Sequence, residues 1–151
     1  MQNVFDAKDA QEYINRINNL TPETQRKWGK MSVDQVLAHL NVAYDLTFMP
    51  EKFPKPSFIA KFLLSRFVKP KITNEIPYKQ SLPTSPVFII ADERNFEEEK
   101  AKLIGNIQRV QQLGREAFEG KENINFGKMT AQCWNNMFAK HLNHHLEQFG
   151  V

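Results

Sequence analysis

The chain has 151 residues, 41% hydrophobic and 25% charged, which fits a single globular domain over 1–151 and excludes a disordered chain. Lys and Arg number 20 against 17 Asp and Glu, a net charge of +3, too small an excess to argue for a nucleic-acid partner. The lone cysteine, Cys133, excludes an intramolecular disulfide, and no stretch approaches the roughly 20 apolar residues of a membrane span.

A basic region followed by an apolar one, the mark of a secretory leader, does not open the sequence, so a cytoplasmic protein is expected. The first helix is predicted over about Asp6 to Leu20, where Ala10, Tyr13, Ile14, Ile17 and Leu20 recur at helical spacing. Thr21-Pro22 looks like a cap and first residue of one extra turn. Ser32-Val33-Asp34-Gln35 is a capping-box pattern opening the second helix, whose apolar face is Val33, Val36, Leu37, Leu40 and Tyr44, with an end between Tyr44 and Met49.

Seven of the eight prolines fall between Pro50 and Pro86. Proline breaks helix interiors, so this segment is predicted as a long crossover holding at most one short helix, Phe58 to Phe67. Its basic residues Lys52, Lys55, Lys61, Arg66, Lys69 and Lys71 interleave with Phe53, Phe58, Phe62 and Phe67. Such a segment suits a membrane surface or an anionic substrate. The favoured reading is a solvated basic face over a packed aromatic underside, with a peripheral membrane protein as a weaker third reading. Val87-Phe88-Ile89-Ile90 is predicted as a buried extended run.

The third helix begins near Asp92 or Asn95, with Glu97, Glu98 and Glu99 at the positive end of its dipole, and stops at Gly114. The fourth begins at Thr130 and ends before Gly150, with Trp134, Met137, Phe138, His141, Leu142, His145 and Phe149 inward. Trp28-Gly29-Lys30-Met31-Ser32 before helix two is echoed by Phe126-Gly127-Lys128-Met129-Thr130 before helix four.

All four histidines lie on helices two and four: His39, His141, His144 and His145. His141 and His145 are four positions apart, so their rings stand about 40° apart and one turn along the axis. Paired histidines of the HExxH zinc motif have this spacing. Both point inward with Trp134 and Phe138, whereas His144 sits about 60° from His141, nearer the edge. His39 lies about 10 Å from the start of its helix, and the midpoint of the pair lies about 10 Å from the end of theirs. If helices two and four run antiparallel, three imidazoles converge. Three histidines with an open fourth position make the catalytic-zinc arrangement; nickel, iron and manganese are also compatible. The plainer reading of each ring is a hydrogen-bonded core histidine.

Trp28-Gly29-Lys30-Met31-Ser32-Val33-Asp34-Gln35-Val36-Leu37-Ala38-His39-Leu40 and Lys140-His141-Leu142-Asn143-His144-His145-Leu146-Glu147-Gln148-Phe149-Gly150 resemble the two signatures of an uncharacterised branch of the DinB/YfiT-like superfamily. The resemblance runs over nearly the whole chain. It implies an all-α four-helix bundle of up-down-down-up order, with a long crossover between helices two and three. It also implies a divalent metal, nickel or zinc, on His39, His141 and His145. Characterised relatives include thiol transferases that use bacillithiol or mycothiol and a thiol-dependent maleylpyruvate isomerase. The resemblance thus implies a thiol-dependent S-transferase or a hydrolase acting on a small electrophilic substrate, with a low-molecular-weight thiol as cosubstrate. Related bundles often pair, so a homodimer is expected.

The competing class is a non-enzymatic binding bundle with a structural or vestigial metal. His144 is a candidate base beside the triad, although a surface or interface position explains it as well. Gln35 and Asn143 are candidates to orient a ligand's second nitrogen. Glu147 reads as a solvated charge, Cys133 as a packed thiol, and Trp28 and Trp134 as packing anchors.

Overall fold

In a computed structural model that describes residues 1–151, the first helix starts where Asp6 supplies a cap. Its carboxylate accepts from the backbone N–H groups of Lys8 and Asp9, two donors with no partner inside a helix. Helix α1 then runs Ala7–Asn18. Thr21 and Thr24 close a tight turn, Thr24 N donating to Thr21 O at 3.0 Å, and no helix forms there. Ser32 opens α2, Val33–Phe48, with Gln35 Oε1 accepting from Ser32 N at 3.1 Å. Asn95 caps α5, Phe96–Leu113. Thr130 caps α6, Ala131–Gln148, its Oγ1 accepting from Cys133 N at 3.2 Å.

These four helices share one core. Tyr13 and Ile17 of α1, Leu37 and Leu40 of α2, Leu103 and Ile107 of α5, and Trp134 and Phe138 of α6 are fully buried. Each such burial contributes about 1.5–3 kcal/mol. Tyr44 stacks on Phe138 at 4.7 Å, while His39, five positions earlier, meets His141 and His145. Helices α2 and α6 therefore run antiparallel. Asn41 fixes α2 on α5: its Nδ2 donates to Glu99 O and Oε2, and its Oδ1 accepts from Asn106 Nδ2. Arg16 ties α1 to the end of α6 through Asn143 Oδ1 and Val151 O. The mostly helical fold agrees with the all-α expectation. A short hairpin, Glu122–Asn123 against Gly127–Lys128, was not expected, because two-residue strands carry no readable period. Cys133 is free and packs at the core margin. No helix is long and apolar enough to cross a membrane.

The crossover departs from expectation in three ways. It holds more helix than one short piece: α3, Phe58–Leu63, passes through a π turn, Leu64–Val68, into α4, Lys69–Thr73. Pro70 sits in the first turn of α4, where its missing N–H costs little, and the wider π turn before it gives its ring room. Second, Val87 to Ile90 is not a buried strand. Pro86–Phe88 forms a 3-10 turn, Val87, Phe88 and Ile90 are half-buried, and Ile89 is exposed. With no neighbouring strand to pair with, the run folds over the histidines. Third, the aromatic underside is not packed: Phe58 is 86%, Phe62 61% and Phe67 59% exposed.

Lys140 anchors the crossover at the end of α4. The residue is only 4% exposed, and its ammonium donates to Lys71 O and to Asn74 Oδ1, both at 2.7 Å. A cation here satisfies the last carbonyls of α4 and suits the negative end of its dipole. It also lies over the Tyr78 ring, 4.4 Å from the centroid.

Candidate metal centre

The first ring is supplied by α2, the other two by α6. The ring centroids of His39, His141 and His145 lie 4.6–5.0 Å apart pairwise. Their ring nitrogens offer one donor each within 4.8 Å of one another, and His39 Nε2 is 2.9 Å from His141 Nε2. The convergence expected from helix spacing is present, because α2 and α6 are antiparallel and in the required register.

Protons on two of these rings can be assigned. His39 Nδ1 is 2.8 Å from Phe88 O, and a carbonyl only accepts, so Nδ1 carries the hydrogen. His145 Nδ1 is 2.8 Å from Gln148 Oε1. The orientation of that amide is fixed at its other end, where Gln148 Nε2 donates to Trp28 O at 2.7 Å, so Oε1 accepts from His145 Nδ1–H. Both neutral rings therefore keep the Nε2 lone pair available. Gly29 makes the approach of Gln148 feasible: its φ is +84°, and a Cβ there would collide with Gln148 Nε2.

The rings are held neutral. Burial lowers the pKa of His39, against a rise from the Phe88 carbonyl, and His144 lowers it further. Burial pushes His145 down to about 3, with His39 adding to the effect and the Gln148 hydrogen bond opposing it. His141 is lowered well below its usual value by burial and by the other three histidines.

His145 also lines a cleft of about 580 Å³ between the Trp28–Met31 loop and the Ser81–Ala91 arm of the crossover. Trp28, Met31, Phe88 and Ile90 supply apolar walls, and Lys30 is the one lysine, arginine or carboxylate among the lining residues. His144 is half-buried on the same wall, its ring 4.9 Å from that of His145 and edge-on to Tyr78 at 5.6 Å. It does not join the cluster of three. Burial lowers its pKa, against a rise from Glu147. Trp28 belongs to this wall and is not a core anchor like Trp134; its buried indole N–H has no partner.

The family model of a protein of unknown function, DUF1569, matches residues 2–150. The chain belongs to the DUF1569 family. No curated protein and no solved structure matches it.

In this DUF1569 chain neither residue singled out to orient a ligand does so. Gln35 is occupied with Ser32 N and Asp92 O, and Asn143 accepts from Arg16. Gln148 instead holds a ring of the cluster, through His145 Nδ1. Its signal was its position three residues after His145, which places both on one helix face. Glu147 is exposed, as expected of a solvated charge.

The donor set fits a divalent transition metal. Three neutral imidazoles suit zinc or nickel. Nitrogens around one tetrahedral ion with bonds of about 2.0–2.1 Å stand roughly 3.4 Å apart, within the span of this cluster. The carbonyl and amide partners on the far nitrogens are the kind that orient metal-binding histidines.

Proposed function

We propose that this DUF1569 chain is a metal-dependent enzyme built on a DinB-like four-helix bundle of up-down-down-up order. His39, His141 and His145 hold one divalent ion, nickel or zinc. The reaction is a thiol-dependent S-transfer, or a hydrolysis, on a small electrophilic substrate. The observation that carries the reading is the meeting of three neutral imidazoles beside a cleft that His145 itself lines.

Three neutral imidazoles leave a divalent ion its full charge, which lowers the pKa of a bound thiol or water. The protein's own groups do the rest. Phe88 O and Gln148 Oε1 hold the Nδ1 protons of His39 and His145, so the Nε2 atoms face inward without rotating. His144, neutral on the cleft wall, accepts a proton from an incoming thiol or water. Trp28, Met31 and Phe88 exclude water and seat an apolar substrate body. With Lys30 alone as a fixed charge in the lining, the cleft suits a neutral or singly anionic molecule.

A second reading, a binding bundle without catalysis, is favoured by one feature: the His39–His141 contact at 2.9 Å pairs the two Nε2 atoms as a hydrogen bond without an ion. Assays separate the two. Purified chain loaded with zinc or nickel is offered activated electrophiles with common low-molecular-weight thiols, and separately activated esters. Turnover that tracks metal content and is lost in His145→Ala supports the enzyme. Full metal loading without turnover across both screens favours the binding bundle.

A further inference from the structure

We propose that the outward face of residues 58–68 is a docking surface for an anionic lipid membrane. The helix is inside out. Phe58, Ile59, Phe62, Leu63, Phe67 and Val68 are exposed, whereas Ala60, Lys61, Leu64 and Ser65 are half-buried against the body. A surface helix normally buries its apolar stripe and exposes its polar one. These six are a majority of the eleven exposed large apolar side chains in the protein. They fall within eleven consecutive residues, 58–68, on a short helical stretch, a concentration that marks an interaction site where scattered residues would not.

Polar contacts on the inner side accompany this orientation. Lys61 Nζ pairs with Glu122 Oε1 at 2.8 Å, and Lys69 Nζ donates to Lys128 O at 2.8 Å. The lysine that would ordinarily face water is tied to the hairpin, and rotating the helix inward would break both contacts.

Charge identifies the occupant. Residues 52–74 hold six of the 20 Lys and Arg and none of the 17 Asp and Glu. The remainder of the chain therefore carries 14 cations against 17 anions. Lys52, Lys55, Arg66 and Lys71, within six residues of this stretch in sequence, are exposed. Aromatic and aliphatic residues on one face with lysine and arginine at its rim describe a helix that lies in the headgroup plane of an anionic bilayer. The helical stretch is too short to span. A second copy of the chain would set one cationic segment against another, which costs repulsion that an anionic surface converts to attraction.

Co-sedimentation of the full chain with vesicles tests this. Vesicles of phosphatidylcholine with about one-third phosphatidylglycerol are compared with phosphatidylcholine alone at low ionic strength. Binding to the anionic vesicles is expected, falling with added salt. Phe58→Ser and Phe62→Ser each weaken it about tenfold, and Lys52→Gln and Lys55→Gln each roughly fivefold. All four positions are exposed, and circular dichroism confirms the fold of each variant. Failure to bind anionic vesicles, or equal binding by the phenylalanine variants, overturns the proposal. A dimer in sedimentation velocity that Phe62→Ser converts to monomer also overturns it, since the patch then belongs to a second copy. No arm of the test depends on metal or activity.

Discussion

His39 Nε2 and His141 Nε2 lie 2.9 Å apart although 102 positions separate the two residues. His39 Nδ1 is committed to Phe88 O, so the only proton between those two Nε2 atoms is one donated by His141, or none when an ion takes its place. A metal bound there would take the place of that proton. His141→Ala and His145→Ala are expected to abolish stoichiometric uptake of zinc or nickel, whereas His144→Ala, outside the cluster, retains it. Calorimetric titration of the three variants checks this; equal losses in all three would contradict the ligand assignment.

Acid should destabilise the protein in a defined window. Folding holds His39, His141 and His145 below their usual pKa, His145 at about 3, whereas the unfolded chain protonates them near 6.5. Between those limits the unfolded state binds more protons, so stability falls as pH drops from about 6.5 toward 3. Bound metal would steepen the fall, because protonated imidazole cannot ligate. Urea midpoints measured down this range should decline. A midpoint constant from pH 7 to pH 4 would contradict the account.

Gln148 couples the loop before α2 to the histidines at the end of α6. Gln148→Ala removes the acceptor of His145 Nδ1–H and the donor to Trp28 O. A cost of about 1–3 kcal/mol in stability is expected, with metal affinity reduced about 10–100-fold. Gly29→Ala should disturb the same pair, through both its positive φ and its collision with Gln148, at more than about 1 kcal/mol. Chemical denaturation and metal titration read the two effects. Wild-type metal affinity in Gln148→Ala would show that the amide does not position His145.

Much of this arrangement was readable from sequence. Asp6, Ser32 and Thr130 begin helices because a cap is a local feature, decided within four residues. The convergence of His39 with His141 and His145 was readable because helical rise converts residue counts into lengths, and antiparallel packing then matches their levels. The crossover was not readable. The outward turn of Phe58 and Phe62 goes with Lys61 reaching Glu122, a contact across 61 positions that no local period reports. The role of Gln148 is not legible for the same reason: a glutamine near a helix end reads as solvent-facing until the Trp28 carbonyl is known to lie opposite it.

Lys140 holds the crossover in place from α6. Lys140→Met keeps the stem but leaves Lys71 O and Asn74 Oδ1 without their buried donor, at a cost of about 1–3 kcal/mol. Loosening of the segment after α4 is expected to expose 74–90 to protease. Limited proteolysis of the variant should cut there faster than in the wild type, and an unchanged rate would show that the segment is held by other contacts.

Metal stoichiometry tests most directly whether His39, His141 and His145 form one metal site. Purified wild-type chain, incubated with zinc or nickel at neutral pH and dialysed free of excess, should retain one ion per chain by elemental analysis, and His39→Ala should retain none. Retention of no metal by the wild type, or of equal metal by His39→Ala, would contradict it.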